Sequence, residues 1–170
     1  DKTGYKINSL FKNRSKSKQE SVKNFSNKIS IAKKSSYSED FMVIARVESL
    51  ILGKSIDDAL KRAENYSKAG ADAILIHSKS NKPGEILKFA KIFKKSKFYK
   101  PLVSVPSTYS KTKEKTLRQN GFQIIIYANH LIRASYKSMQ ETAKKILEHE
   151  RSYETEKNIS KISEVLTLIK

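Results

Sequence analysis

Apolar runs of strand length alternate along the chain with stretches whose apolar residues recur every three or four positions. "FMVIARVE" (41–48) is the first such run, and "SIDDALKRAENYSKAG" after it sets Ile56, Ala59, Leu60, Ala63 and Tyr66 on one helical face. Ser55 can cap that helix, Asp57 and Asp58 suit its positive amino-terminal dipole, and Gly70 ends it. In "DAILIHS" (72–78), Ala73 to Ile76 are apolar without a break, the mark of a strand covered on both faces. "KPGEILKFAKIFKKS" follows, with Pro83 near a helix start and Ile86, Phe89, Ala90 and Phe93 in a buried stripe. "PLVSVPST" (101–108) predicts a third strand, "KTKEKTLRQNG" a short helix closed by Gly121, and "FQIIIYANH" (122–130) a fourth strand. Helix is expected again from about Leu131 to Arg151. Upstream, Val22, Phe25, Ile29 and Ala32 lie at helical spacing. In the tail, Ile159, Ile162, Val165, Leu166 and Ile169 share a stripe that must be covered.

This alternation is the rhythm of βα units and hence of a parallel sheet wound in one direction. The five glycines form neither GxGxxG nor GxxxxGK, which disfavours nucleotide-binding sheets of the doubly wound kind and leaves a barrel. At 170 residues the chain falls short of the roughly 250 of a complete barrel. Four parallel strands with outer helices would expose two sheet edges and an unfilled interior, so such a half needs a complementary half.

Composition narrows the chemistry. Without cysteine there is no disulfide framework or thiolate metal site, and three scattered histidines argue against a zinc site built from protein alone. No apolar run approaches the roughly 20 residues of a membrane span and no secretory h-region is present, so a soluble, cytoplasmic protein without membrane association is expected. A net charge of +18 would suit nucleic acid or an anionic membrane surface. The charge, however, is lysine spread over the chain, and its densest part, "KNRSKSKQESVKNFSNKISIAKKSS", lacks the aromatic interleaving of a stacking platform. A solvated lysine-rich surface is favoured over nucleic-acid binding.

Polar groups gather at the strand ends: Arg46 and Glu48, then His77 and Ser78, then Ser107 and Thr108, then Asn129 and His130. One buried Arg or His alone is more often a satisfied structural residue than a catalytic one. Four sets at one rim point to a site, because a barrel's active face is assembled from several strand ends. Arg46 at the end of an apolar run calls for an anion, and phosphate or carboxylate fits its planar fork. His130 and His149 have no partners that make a metal set and read as structural or surface residues.

"FMVIARVESLILGKSIDDALKRAENYSKAGADAILIHSKS", "PLVSVPSTY" and "YANHLIRASYKSMQET", with the opening "DKTGYKINS", resemble the carboxyl-terminal half of the phosphoenolpyruvate mutase family, in the isocitrate lyase superfamily. The resemblance implies an α/β fold, the carboxyl-terminal half of a (β/α)8 TIM barrel with a C-terminal helical extension: a gating-loop-like segment over 1–18, βα units over 19–152 and a C-terminal helix over 153–170. It implies an enzyme interconverting phosphoenolpyruvate and phosphonopyruvate, the P–C bond-forming step of phosphonate biosynthesis. Carried over by position, Asn8, Arg46 and His77 are the expected catalytic groups, with Asn8 near the migrating phosphoryl group and Arg46 and His77 on the substrate's anionic groups. Lys6, Ser9 and Ser78 belong to the gating loop and substrate pocket, and Asp1 and Glu48 stand behind the groups that touch substrate. A metaphosphate-like species needs fixed cations and amide donors, and a closed lid keeps water from capturing it.

The same resemblance marks departures. The family's Mg²⁺ ligands lie on strands before this sequence and on the glutamate preceding the DK of the signature; Mg²⁺ is the implied cofactor with its ligands in the amino-terminal half. Tyr5 stands where the loop normally has proline. Asn8 favours mutase over phosphonopyruvate hydrolase. As an isolated half the chain is expected to lack turnover, and the C-terminal helices are expected to pack in a homo-oligomer, as in the family's swapped subunits. A 2-oxo-acid lyase or hydrolase of the superfamily and a non-catalytic basic binding module remain the alternatives.

Overall fold

The computed structural model describes residues 1–3 and 18–168. Two short strands, β1 (Lys2–Thr3) and β2 (Lys18–Gln19), pair antiparallel, with Lys2 opposite Gln19. Helix α1 (Val22–Lys34) starts at Ser21, whose hydroxyl accepts the Asn24 N–H at 3.1 Å, the N-cap bond that a helix's unpaired first turn requires. Strand β3 (Ile44–Val47) leads to α2 (Ile56–Lys68), capped by Ser55 accepting from Asp58 N–H at 3.1 Å. β4 (Ala73–Ile76), α3 (Gly84–Phe93), β5 (Leu102–Ser104), α4 (Glu114–Gln119) and β6 (Phe122–Ile125) complete the alternation. Gly70 and Gly121 follow α2 and α4 at φ of 104° and 95°, a left-handed backbone that ends a helix with no Cβ penalty.

β3, β4, β5 and β6 lie side by side in that order, every neighbour parallel. Side chains alternate between the sheet's two faces. On the helix side, Val47, Ile74, Ile76 and Leu102 pack with Tyr66, Ile86, Phe89 and Phe93 in the main core. Each such buried side chain contributes about 1.5–3 kcal/mol. On the opposite face Ala73, Leu75 and Val103 make a smaller apolar cluster with Val105 and Ile124 packed against it. Burial on both sides explains the unbroken apolar run of β4.

The strands are shorter than the sequence pattern implies. β3 begins at Ile44 because the Val43 N–H is taken by the Asp72 carboxylate at 2.7 Å, while Phe41 and Met42 stand exposed. β5 stops at Ser104, two residues before Pro106, which has no N–H for a ladder. β6 stops at Ile125, and Asn129 and His130, expected at its end, instead form the N-cap and first residue of α5 (His130–His149).

The chain divides into two compact units, Asp1–Tyr127 and Ala128–Lys170. The second comprises α5, a 3-10 helix (Tyr153–Asn158) and α6 (Ile162–Leu166), the last two standing where a single C-terminal helix over 153–170 was expected. No residue of α5 is buried, and Leu131, Ile132, Tyr136, Met139 and Leu147 are exposed. Of the tail stripe, Ile169 lies outside the described residues.

Candidate anion-binding rim

The register sets Arg46 beside Leu75 and Val47 beside Ile76. Leu75 belongs to the smaller cluster, opposite the helices, so alternation brings Arg46 to that face; His77 follows two residues after Leu75, just past the end of β4. Strand spacing and rise place their Cα atoms about 8 Å apart, within reach of one small anion between two long side chains. Arg46 keeps 41% of its side chain exposed, whereas His77 is buried. Glu48 comes to this face one step beyond Arg46. It is 2% exposed, and its carboxylate ion-pairs with Arg46 Nε on one oxygen and with Lys2 Nζ at 3.5 Å on the other.

The loop after β4 is tied down by its second polar residue. Ser78 is buried; its hydroxyl donates to Glu85 and accepts the Ser80 N–H at 3.0 Å, and its carbonyl accepts from Thr108 Oγ1 at 2.9 Å. Thr108 therefore serves this loop rather than extending β5, and holds the segment next to His77. Ser104 and Tyr109 share a buried hydroxyl contact of 2.9 Å, and burial raises the Tyr109 pKa despite that bond.

Asp1 lies behind the rim. Its backbone nitrogen donates to Arg46 O at 2.9 Å and its carbonyl accepts from Glu20 N–H at 2.9 Å. Its carboxylate accepts the Glu48 N–H at 2.9 Å, Gln19 Nε2 at 3.0 Å, Arg62 Nη1 at 3.2 Å and the Tyr66 hydroxyl at 2.6 Å. Arg62 also donates to Glu20 O at 2.8 Å, to Tyr66 at 3.0 Å and, through Nε, to Asp58 at 3.0 Å. Burial would raise the Asp58 pKa, but the Ser49 hydroxyl and Arg62 prevail and lower it. Tyr66 is raised by burial against the opposing Arg62 bond. Arg62 and Gln19 escaped the sequence reading, and Lys2 entered it only within the DK of the signature. The trace of Arg62 is Asp58, Arg62 and Tyr66 at intervals of four along one ridge of α2.

Lys6, Asn8 and Ser9 lie outside the described residues. Ser107 is half-buried, and Asn129 and His130 belong to the second unit. Among the described residues no group of three or more His, Cys, Asp or Glu could hold a metal ion. The carboxylates of Asp1 and Glu48, beside Arg46, are already engaged by Arg62, Arg46 and Lys2, so the described residues do not form a site for Mg²⁺. Among them, too, no helix is long and apolar enough to cross a membrane.

A parallel βα sheet of four strands with helices packed on one face is the architecture of half a TIM barrel. The phosphoenolpyruvate phosphomutase family matches residues 3–147. The phosphoenolpyruvate phosphomutase of Tetrahymena pyriformis is 42% identical over 147 residues, covering 86% of this chain and 48% of its own length. The solved phosphoenolpyruvate phosphomutase of Streptomyces platensis subsp. rosaceus superposes with a TM-score of 0.89 at 38% identity, over 96% of this chain and 55% of that one. A phosphonopyruvate hydrolase solved with oxalate and Mg²⁺ superposes at 0.83 with 34% identity, over 94% and 56%. The chain belongs to the phosphoenolpyruvate phosphomutase family, within the isocitrate lyase superfamily. It spans about half the length of the relatives it matches.

Proposed function

We propose that this chain supplies the anion-holding part of an active site that interconverts phosphoenolpyruvate and phosphonopyruvate. The reading is supported by the register of Arg46 with Leu75, on the face opposite the helices, and by His77 following just past the end of the neighbouring strand. Arg46 offers a planar, permanently charged fork for a phosphoryl or carboxylate group, and His77 offers a ring nitrogen from a buried, well-tied segment. Moving a phosphoryl group between the enolate oxygen and the C3 carbon of pyruvate asks little covalent chemistry of the protein. It asks for fixed cations on the phosphoryl oxygens and exclusion of water. By their place in the signature, Asn8 is the amide donor at the migrating group, with Lys6 and Ser9 beside it, and Ser78 secures the His77 segment.

Completing the site takes a complementary half-barrel along both outer strands, β3 and β6; beside β3 the Asp1 nitrogen already makes one bond to the Arg46 carbonyl. That half brings the ligands for Mg²⁺, whose presence in the oxalate-bound relative supports it as cofactor; bound there, the metal would supply Lewis-acid stabilisation of the enolate oxygen. The uncovered apolar residues of α5 and α6 favour packing against a second copy. A hydrolase acting on phosphonopyruvate is the second reading, favoured by the likeness to the solved hydrolase.

Phosphorus NMR separates the readings. Phosphonopyruvate is incubated with Mg²⁺ and this chain, alone and mixed with the amino-terminal half of the Streptomyces platensis relative. A phosphate-ester signal from the mixture is expected, with none from the chain alone. Free phosphate instead assigns hydrolysis, and no turnover in the mixture refutes both.

A further inference from the structure

We propose that Thr108 is a positioning residue for His77, acting through the carbonyl of Ser78; this rests on reading His77 as a group that contacts a phosphonopyruvate-like anion. The paired register of β4 ends at Ile76, opposite Val47, so the imidazole belongs to the first residue past the strand and Ser78 is the second. Ser78 is 1% exposed and is held at two atoms by two different elements. Its hydroxyl donates to Glu85 in the first turn of α3, and its carbonyl accepts from Thr108 Oγ1 at 2.9 Å in the segment after β5. With side chain and carbonyl both fixed, the tetrahedral Cα of Ser78 leaves one direction for its nitrogen, and that nitrogen belongs to the planar peptide that begins at His77. Two bonds on the neighbouring residue therefore set the direction from which the imidazole projects.

Thr108 is itself anchored. Tyr109 after it is fully buried; its hydroxyl meets Ser104 Oγ, at the end of β5, at 2.9 Å, and its carbonyl accepts the Thr112 N–H at 2.9 Å. On the other side the Ser107 N–H donates to Val105 O at 2.8 Å. The line of contacts runs from β5, through Tyr109 and Thr108, to the carbonyl one residue beyond His77. Hydrogen bonds behind a ligand-contacting group keep it in the narrow range of orientations that binding needs. A threonine that served only the packing of this loop would change stability and leave affinity for the anion alone.

The test is a phosphorus NMR titration of the 170-residue chain with phosphonopyruvate, on the unaltered chain and on Thr108→Val, Thr108→Ser, His77→Ala and Thr155→Val. Thr155→Val removes a hydroxyl-to-carbonyl bond of the same kind, 2.6 Å to Ser152 O, from a residue 1% exposed in the other unit. Thr108→Val is expected to weaken binding about tenfold, as when a hydrogen bond to a charged group is misdirected. Thr108→Ser should keep it within about threefold, and Thr155→Val should leave it unchanged. If Thr108→Val binds as tightly as Thr155→Val, or Thr108→Ser as weakly as Thr108→Val, while His77→Ala abolishes binding, the role of Thr108 is overturned and the rim stands. If the unaltered chain does not bind, or His77→Ala binds as well as it does, both fall. A second measurement needs no variant: nitrogen relaxation of the unaltered chain should give the His77 and Ser78 amides order parameters of about 0.85, and values below about 0.6 overturn the assignment.

Discussion

Replacing Arg62 with leucine removes the one side chain that joins Asp1, Glu20, Asp58 and Tyr66. The Asp1 carboxylate is fully buried and Arg62 is 7% exposed, so the change strands a charge rather than trimming a surface contact. Breaking one partner from a buried pair typically costs about 3–5 kcal/mol. With a urea dependence of about 1–3 kcal/mol per molar, the unfolding midpoint followed by circular dichroism should fall by roughly 1–5 M. Three donors to Asp1 survive, from Glu48, Gln19 and Tyr66, which argues for the lower end of the cost. The decisive comparison is the double change Asp1→Asn with Arg62→Leu. If the carboxylate is what Arg62 compensates, neutralising it recovers part of the loss, a coupling of about 1–3 kcal/mol. Strictly additive single changes, or a loss below about 1 kcal/mol for Arg62→Leu, would refute the claim that Arg62 compensates the buried Asp1 carboxylate.

Three other outcomes follow from the same structure. Burial would raise the Asp72 pKa, but the Val43 N–H and the Lys33 ammonium at 2.9 Å hold it below its ordinary 3.8; a carboxylate lowered by folding stabilises above its unfolded pKa, so stability should fall as pH drops below about 3.8 and Asp72→Asn should flatten that acid limb in thermal melts. Gly70→Ala meets φ of 104° and a Cβ 3.2 Å from Lys33 Cγ, so it should cost about 1–2 kcal/mol and lower the melting temperature by roughly 2–8 °C. Light scattering at micromolar concentration should find a dimer or larger, and Leu131→Glu with Leu147→Glu, both exposed on α5, should reduce it to monomer; a monomeric unaltered chain contradicts packing through this helix.

Much of the βα order is readable from the chain because its signals are local. The Ser55 cap, the Gly70 and Gly121 stops and the apolar stripes of α2 and α3 each lie within one turn of what they specify. Strand ends are less legible, since they depend on side chains from elsewhere: Asp72 takes the N–H of Val43, 29 positions away. The rim is legible in type and not in arrangement. Arg46 and His77 stand out as polar ends of apolar runs, yet a strand buried on both faces carries no alternation to say which face each takes. The register of Arg46 with Leu75 decides that for Arg46. Arg62 was hidden because its spacing to Asp58 looks like an ordinary exposed helical pair, while its buried partner lies 61 positions away.

The most direct test is a crystal structure of this chain with phosphonopyruvate bound. The account expects one anion within about 3 Å of both the Arg46 guanidinium and the His77 imidazole, on the sheet face away from α2 and α3. An anion seated elsewhere, or Arg46 and His77 turned to opposite faces of the sheet, would contradict it.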